Sequence, residues 1–186
     1  MTQTRTLLAA TDFSTPARHA LERAAMLAQA HSGSRLILAH IVSRSALDNL
    51  HRLLSQDAAE LEARMLDQAE STLNNLAAQL ERGHACAIDT VLKQGSAPTA
   101  LVDLAEDLQT ELLVMGARGV HFVRERLLGS TTGRVLRTSR RPLLAVKQRP
   151  HAAYRRILAA VDFSDHAAAS RPATTRSRRW KRSSSV

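Results

Sequence analysis

With a single cysteine, Cys86, in 186 residues, the chain forms no internal disulfide, which suits a reducing cytoplasm and sets aside the cross-linked secreted scaffolds. Long apolar runs are missing too. The N-terminal apolar stretch Leu7 to Ala10 gives way at once to Thr11 and Asp12, too soon for a signal peptide, and no run approaches the length of a membrane span. The expectation is a soluble, cytoplasmic protein with no membrane role. His19, His31, His40, His51, His84 and His121 show no metal-ligand spacing with Cys86, so no metal site is expected. No Ser-His-Asp order or paired-carboxylate pattern announces a catalytic centre. Two standard nucleotide signatures are also absent. There is no G-x4-G-K-[ST], and no G-x-G-x-x-G after the first strand-like run, which disfavours a P-loop hydrolase and a dinucleotide oxidoreductase.

Acidic residues are scarce in one part of the chain only. The formal net charge is +9, yet residues 1–146 carry 16 Lys and Arg against 15 Asp and Glu, whereas residues 147–186 carry 10 against 2. The basicity belongs to the tail. A near-neutral body offers no electrostatic footprint for DNA or RNA, so nucleic acid is not the expected partner of the folded part.

At 44% hydrophobic residues the chain can bury one good core, with too little length for a second full domain. Strand-like and helix-like runs alternate. Thr6 to Thr11 reads as a first strand, followed by a helix from about Pro16 to His31, with Ser14 or Thr15 as cap and Gly33 just past its end. Its apolar face is Leu21, Ala24, Ala25 and Ala28. Arg35 to Val42 is a second strand. A helix within about Asp57 to Glu81 carries a core-facing stripe of Leu66, Ala69, Leu73, Leu76 and Leu80. Ala85 to Leu92 is a third strand, with Cys86 as a small buried hydrophobe. Ser96 and Pro98 open a helix with Leu101, Leu104, Ala105 and Leu108 on its face; Glu111 to Met115 is a fourth strand, and Pro142 to Val146 a fifth. This β-α-β alternation implies an α/β fold with a mostly parallel sheet and right-handed crossovers. Ligands in such folds sit beyond the carboxyl ends of the strands, where strand order reverses. If the first and fourth strands are neighbours, Asp12 and Gly116 line one crevice.

The densest signal lies between the fourth strand and the helix that follows. Gly116 and Gly119 are followed by Gly129 and Ser130, and Ser130, Thr131 and Thr132 open a helix with hydroxyls able to cap its free N–H groups. Glycine lets a backbone approach a ligand closely, and a helix N-terminus favours an anion. Asp12 reads equally as a cap for the first helix and as a ligand. Arg118, beside Gly119, reads as a phosphate ligand, and Arg124 and Arg126 as a solvated charge run. His40, at a strand end, reads as structural.

The chain also repeats itself. Residues 5–14, Arg-Thr-Leu-Leu-Ala-Ala-Thr-Asp-Phe-Ser, recur at 155–164 as Arg-Arg-Ile-Leu-Ala-Ala-Val-Asp-Phe-Ser, with seven of ten positions identical. A period of that length indicates tandem domains. The similarity fades near Ser170, and the remainder, without an acidic residue, is expected to be disordered.

Together these residues resemble the universal stress protein family. The G-x2-G-x9-G-[S/T] pattern is met by Gly116, Gly119, Gly129 and Ser130, the opening strand-Asp-Phe-Ser by Leu7 to Ser14, and the end of the second strand by His40, Ile41 and Val42. The resemblance covers residues 1–147. It implies a Rossmann-like three-layer fold with a five-stranded parallel sheet in the order 3-2-1-4-5, and ATP binding in the subgroup that keeps the glycine motif. It implies that Ala10, Thr11 and Asp12 face the nucleoside and that Ile41 offers backbone groups to the adenine. Met115, Gly116, Arg118 and Gly119 would line the triphosphate path, and Gly129, Ser130, Thr131 and Thr132 would hold phosphate. Mg²⁺ would be carried mainly by phosphate oxygens and water. Ala10 departs from the family's frequent proline, which implies a looser wall there. The implied organisation is a nucleotide-binding domain over 1–148, a linker over 149–154, the start of a truncated second repeat over 155–170 and a basic tail over 171–186; a shifted reading frame would account for that tail. Homodimerisation through the fifth strand and signalling to a protein partner are expected. The function so implied is a nucleotide-responsive stress or regulatory module with no catalytic residues assigned. Two alternatives stand beside it: a slow ATP hydrolase, self-phosphorylating protein or phosphotransferase using Asp12 and Arg118, and nucleic-acid binding through the tail around Trp180.

Overall fold

Apolar runs flanked by turn residues fold into a parallel sheet, as expected for strands buried on both faces. The computed structural model describes residues 5–31, 33–53, 58–117 and 128–158. Its elements run β1 (Thr6–Thr11), α1 (Thr15–Gln29), β2 (Arg35–Ser43), α2 (Arg44–Leu53), α3 (Ala58–Gly83), β3 (Ala87–Gly95), α4 (Ala97–Asp107), β4 (Leu112–Gly116), α5 (Ser130–Thr138) and β5 (Leu143–Val146). The strands pair in parallel in the order β3-β2-β1-β4-β5. The expected α/β fold, sheet and strand order are all present. Strand order reverses between β1 and β4, so the chain leaves both strands at one end of the sheet with no strand between them.

Two cores hold the layers together. On one face Leu7, Ala9, Leu36 and Leu38 pack with Leu21, Ala24, Ala25 and Ala28 of α1 and with Leu73, Leu76 and Ala77 of α3. On the other, Leu8, Ile37, Leu113 and Met115 pack with Leu101, Leu104 and Ala105 of α4 and Val135 of α5. Leu8, Leu36, Ile37, Leu38 and Leu113 are fully buried. Each such side chain contributes about 1.5–3 kcal/mol relative to exposure. The small face of α1, with Ala20, Ala24 and Ala25 at zero exposure, lets that helix lie close on the sheet.

Several local expectations change. The stripe on α3 buries only its second half: Leu73 and Leu76 are in the core, whereas Leu66 and Ala69 are only half-buried. The helix α2 is new; it starts at Arg44 directly after β2, without a turn signal between them, and of its described side chains only Leu47 is buried. The third strand begins at Ala87, so Cys86 lies in the bend before it and is half-buried against the first core. Burial, assisted by the negative charge of Glu81, pushes its thiol above its ordinary pKa.

Residues 1–153 form one compact unit and residues from 154 onward another. Tyr154 to Leu158, the described part of the second, carry no helix or strand. The rest of the 155–170 repeat and the 171–186 tail, with Asp162 and Trp180, lie outside the described residues. Among the described residues no helix is long and apolar enough to cross a membrane.

Candidate functional site

The site is assembled by three strand-to-helix junctions at the carboxyl end of the sheet. At the first, β1 ends at Thr11 and α1 begins at Thr15. Phe13 between them has φ of 64°, a left-handed conformation that costs a bulky residue about 1–2 kcal/mol. Local bonds hold it there: its N–H donates to Thr11 Oγ1 at 3.0 Å, and its ring lies 4.1 Å from that of His40. His40 Nδ1 lies 2.8 Å from the Thr11 carbonyl oxygen, so this nitrogen carries the proton and donates. Asp12 Oδ1 accepts from both the backbone N–H and the hydroxyl of Ser14. Ser14 in turn is the N-cap of α1, its Oγ accepting from Ala17 N–H at 3.3 Å. The structural reading of His40 therefore holds, and Asp12 buttresses the helix cap while its carboxylate stays exposed.

At the second junction, β4 ends at Gly116 and α5 begins at Ser130. The described residues on either side of the junction are joined by a backbone bond, Gly129 N–H donating to the Ala117 carbonyl at 2.7 Å, and Ala117 N–H donates to the Val146 carbonyl at the end of β5 at 2.8 Å. Gly129 is the N-cap of α5, with extended backbone, and among the described residues no side-chain hydroxyl caps the helix. The expected capping role for the hydroxyls is thus corrected. Thr132 instead turns back, its buried hydroxyl donating to the Gly116 carbonyl at 2.8 Å, which bolts the helix to the strand end. Intrahelical bonding begins at Gly133 N–H on the Gly129 carbonyl. The first N–H groups of α5 consequently lack helical acceptors and keep the partial positive charge of a helix N-terminus.

The third junction, from β3 to α4, adds a wall that the sequence reading missed. One cleft is lined by Ala10, Thr11, Asp12, Ile41, Met115, Gly116, Gly129, Ser130, Thr131 and Thr132, joined by Ala17, Ala39, Ala97 and Leu101. Ten of the twelve expected residues thus meet in one place; the other two, Arg118 and Gly119, lie outside the described residues, as do Arg124 and Arg126. The added Ala97 and Leu101 come from the first turns of α4, which opens on the same side of the sheet because every strand is parallel. That much was inferable from Ser96 and Pro98. The cleft's volume is about 140 Å³. Among the described lining residues Asp12 carries the sole formal charge. The end near Ala10, Ala39, Ile41 and Leu101 is apolar, and the end near Ser130 and Thr131 offers hydroxyls and helix N–H groups. Among the described residues no group of three or more His, Cys, Asp and Glu side chains forms a metal cluster.

Residues 3–147 match the universal stress protein family, a span that holds all ten elements and the whole cleft. The chain belongs to this family. Universal stress protein Sll1654 of Synechocystis is 30% identical over 142 residues, covering 76% of this chain and 85% of the relative. Universal stress protein MJ0577 of Methanocaldococcus jannaschii is 24% identical over 155 residues, covering 77% and 94%. The solved structure of MJ0577 superposes with a TM-score of 0.67 at 25% identity, over 78% of this chain and 97% of that one. A universal stress protein solved in complex with cAMP superposes at 0.57 with 26% identity, over 77% and 97%. Within this universal stress protein fold, the cleft lies at the reversal of strand order, where open α/β sheets take their ligands.

Proposed function

We propose that the 1–148 domain binds ATP in this cleft and acts as a nucleotide-responsive stress or regulatory module. The observation that carries the reading is the convergence of Asp12, Ile41, Gly116 and the open N-terminus of α5 on one crevice, apolar at one end and hydrogen-bond-donating at the other. An adenine fits the apolar end, beside the backbone of Ile41. The ribose falls beside Asp12, whose carboxylate accepts from sugar hydroxyls and would repel phosphate. Phosphates run toward Ser130, Thr131 and Thr132, where backbone N–H groups and two hydroxyls meet negative charge. A relative solved with cAMP supports a nucleotide as the ligand class. Mg²⁺, if bound with ATP, would be held by phosphate oxygens and water, since the described lining supplies only one carboxylate.

The chemistry favours binding over turnover. Phosphoryl transfer needs a positioned base or nucleophile and compensation of developing charge, and the one carboxylate of the described lining, Asp12, has its Oδ1 engaged by Ser14. Photo-crosslinking with 8-azido-ATP tests the site: the base-linked azide should label peptides from the ends of β2 or β1, or from the start of α4. Labelling confined to residues 149–186 would contradict the assignment.

A further inference from the structure

A second cleft lies beside α1 and α3, with a volume of about 500 Å³, within the range of about 300–1,000 Å³ usual for small-molecule sites. It shares no lining residue with the first cleft. Its floor is apolar: Leu21 and Leu76 are buried core residues, and Met26 and Leu80 are half-buried beside them. One wall is the chain after β5, which two ties hold against α1. Arg23, itself buried, donates from Nη1 to the Ala152 carbonyl at 2.9 Å, and Arg149 Nε donates to Glu22 Oε2 at 3.2 Å. The rim is basic. Arg18, His84, Arg149 and His151 line it, and the one acid in the lining, Glu22, is already neutralised by Arg149. Arg18 is exposed on α1, and among the described residues its guanidinium has no ion pair.

An apolar floor beneath an uncompensated guanidinium complements a ligand with an apolar body and one anionic group. Flexible Met26 lets the floor adapt to different body shapes. We propose that this cleft binds a small amphipathic anion, an apolar ring or short chain bearing a carboxylate-like or sulfonate-like group. Arg18 takes the anion, and Leu21, Met26, Leu76 and Leu80 take the body. The site is independent of the nucleotide cleft.

The test uses the full chain and two fluorescent probes with the same ring systems. One, 8-anilinonaphthalene-1-sulfonate, carries an anion; the other, N-phenyl-1-naphthylamine, does not. The sulfonate should bind saturably, at least tenfold tighter than the amine, and excess ATP should not displace it. Arg18→Glu, at an exposed position compatible with folding, should weaken it at least tenfold, and Leu80→Gln should weaken both probes. Equal affinity for the two probes, an unchanged affinity in Arg18→Glu, or displacement by ATP would each overturn the proposal.

Discussion

Among single residues, the least legible in the sequence are those that hold the cleft's shape. Thr132 was legible as a hydroxyl at a helix start, but its partner was not, because a bond from α5 back to the Gly116 carbonyl depends on how the chain folds across a separation of 16 residues. The same applies to Phe13, whose left-handed backbone is stabilised by a ring contact with His40, on the neighbouring strand. Gly116 and Gly129 were legible as glycines that leave the backbone open to close approach by a ligand; neither has a positive φ, so turn geometry does not require glycine there. These contacts make a testable claim about Thr132. Replacing it with valine keeps shape and burial but leaves the Gly116 carbonyl without its hydroxyl donor, at a cost of about 1–3 kcal/mol. Urea unfolding of Thr132→Val should show a stability loss in that range, with ATP affinity falling because the helix start is no longer bolted to β4. Unchanged stability would mean that the bond is not part of the site's support.

Secondary-structure elements were read well where a periodic apolar pattern met punctuation, as in α1 between Ser14 and Gly33, and poorly where either was missing. The helix α2 follows β2 without a break and has little buried surface, so no sequence pattern marked it. The first half of α3 shows helical periodicity, yet Leu66 and Ala69 are only half-buried and stay outside the core cluster that takes Leu73 and Leu76. The most consequential element is α5. Gly129, at the N-cap, has φ −61° and ψ 158°, a conformation that a following proline accepts, and Ser130 occupies the first helical position, where proline is well tolerated. Ser130→Pro should therefore leave the melting temperature within a few degrees while deleting one N–H from the phosphate end. ATP affinity should fall about tenfold, or ~1.4 kcal/mol, and more than in Ser130→Ala, which removes only the hydroxyl. Equal affinities for the two variants would show that the helix backbone does not hold phosphate.

The whole-molecule topology was legible in two steps: β-α alternation implied a mostly parallel sheet with right-handed crossovers, and the strand order came from the resemblance to the universal stress protein family. That order leaves β5 at an edge, a four-residue apolar strand. Because the Pro142 and Val146 carbonyls face β4, strand alternation turns the backbone groups of Leu143 and Ala145 to the open side. Such an edge tends to be paired or covered, and the family resemblance suggests pairing between two copies. Ala145→Pro removes an N–H only from that open side, so it should spare the fold and shift a dimer toward monomer in sedimentation analysis. A wild-type chain that sediments as a monomer at high concentration would contradict the pairing.

The most direct test of the nucleotide cleft is calorimetric titration of the full chain with ATP, ADP, AMP and adenosine. One nucleotide should bind per chain, with affinity rising as phosphates are added, because the sugar end meets the Asp12 carboxylate while the phosphates meet the start of α5. Absence of saturable heat up to about 1 mM ATP, an affinity limit near −4.1 kcal/mol, or equal affinity for ATP and adenosine would contradict the account.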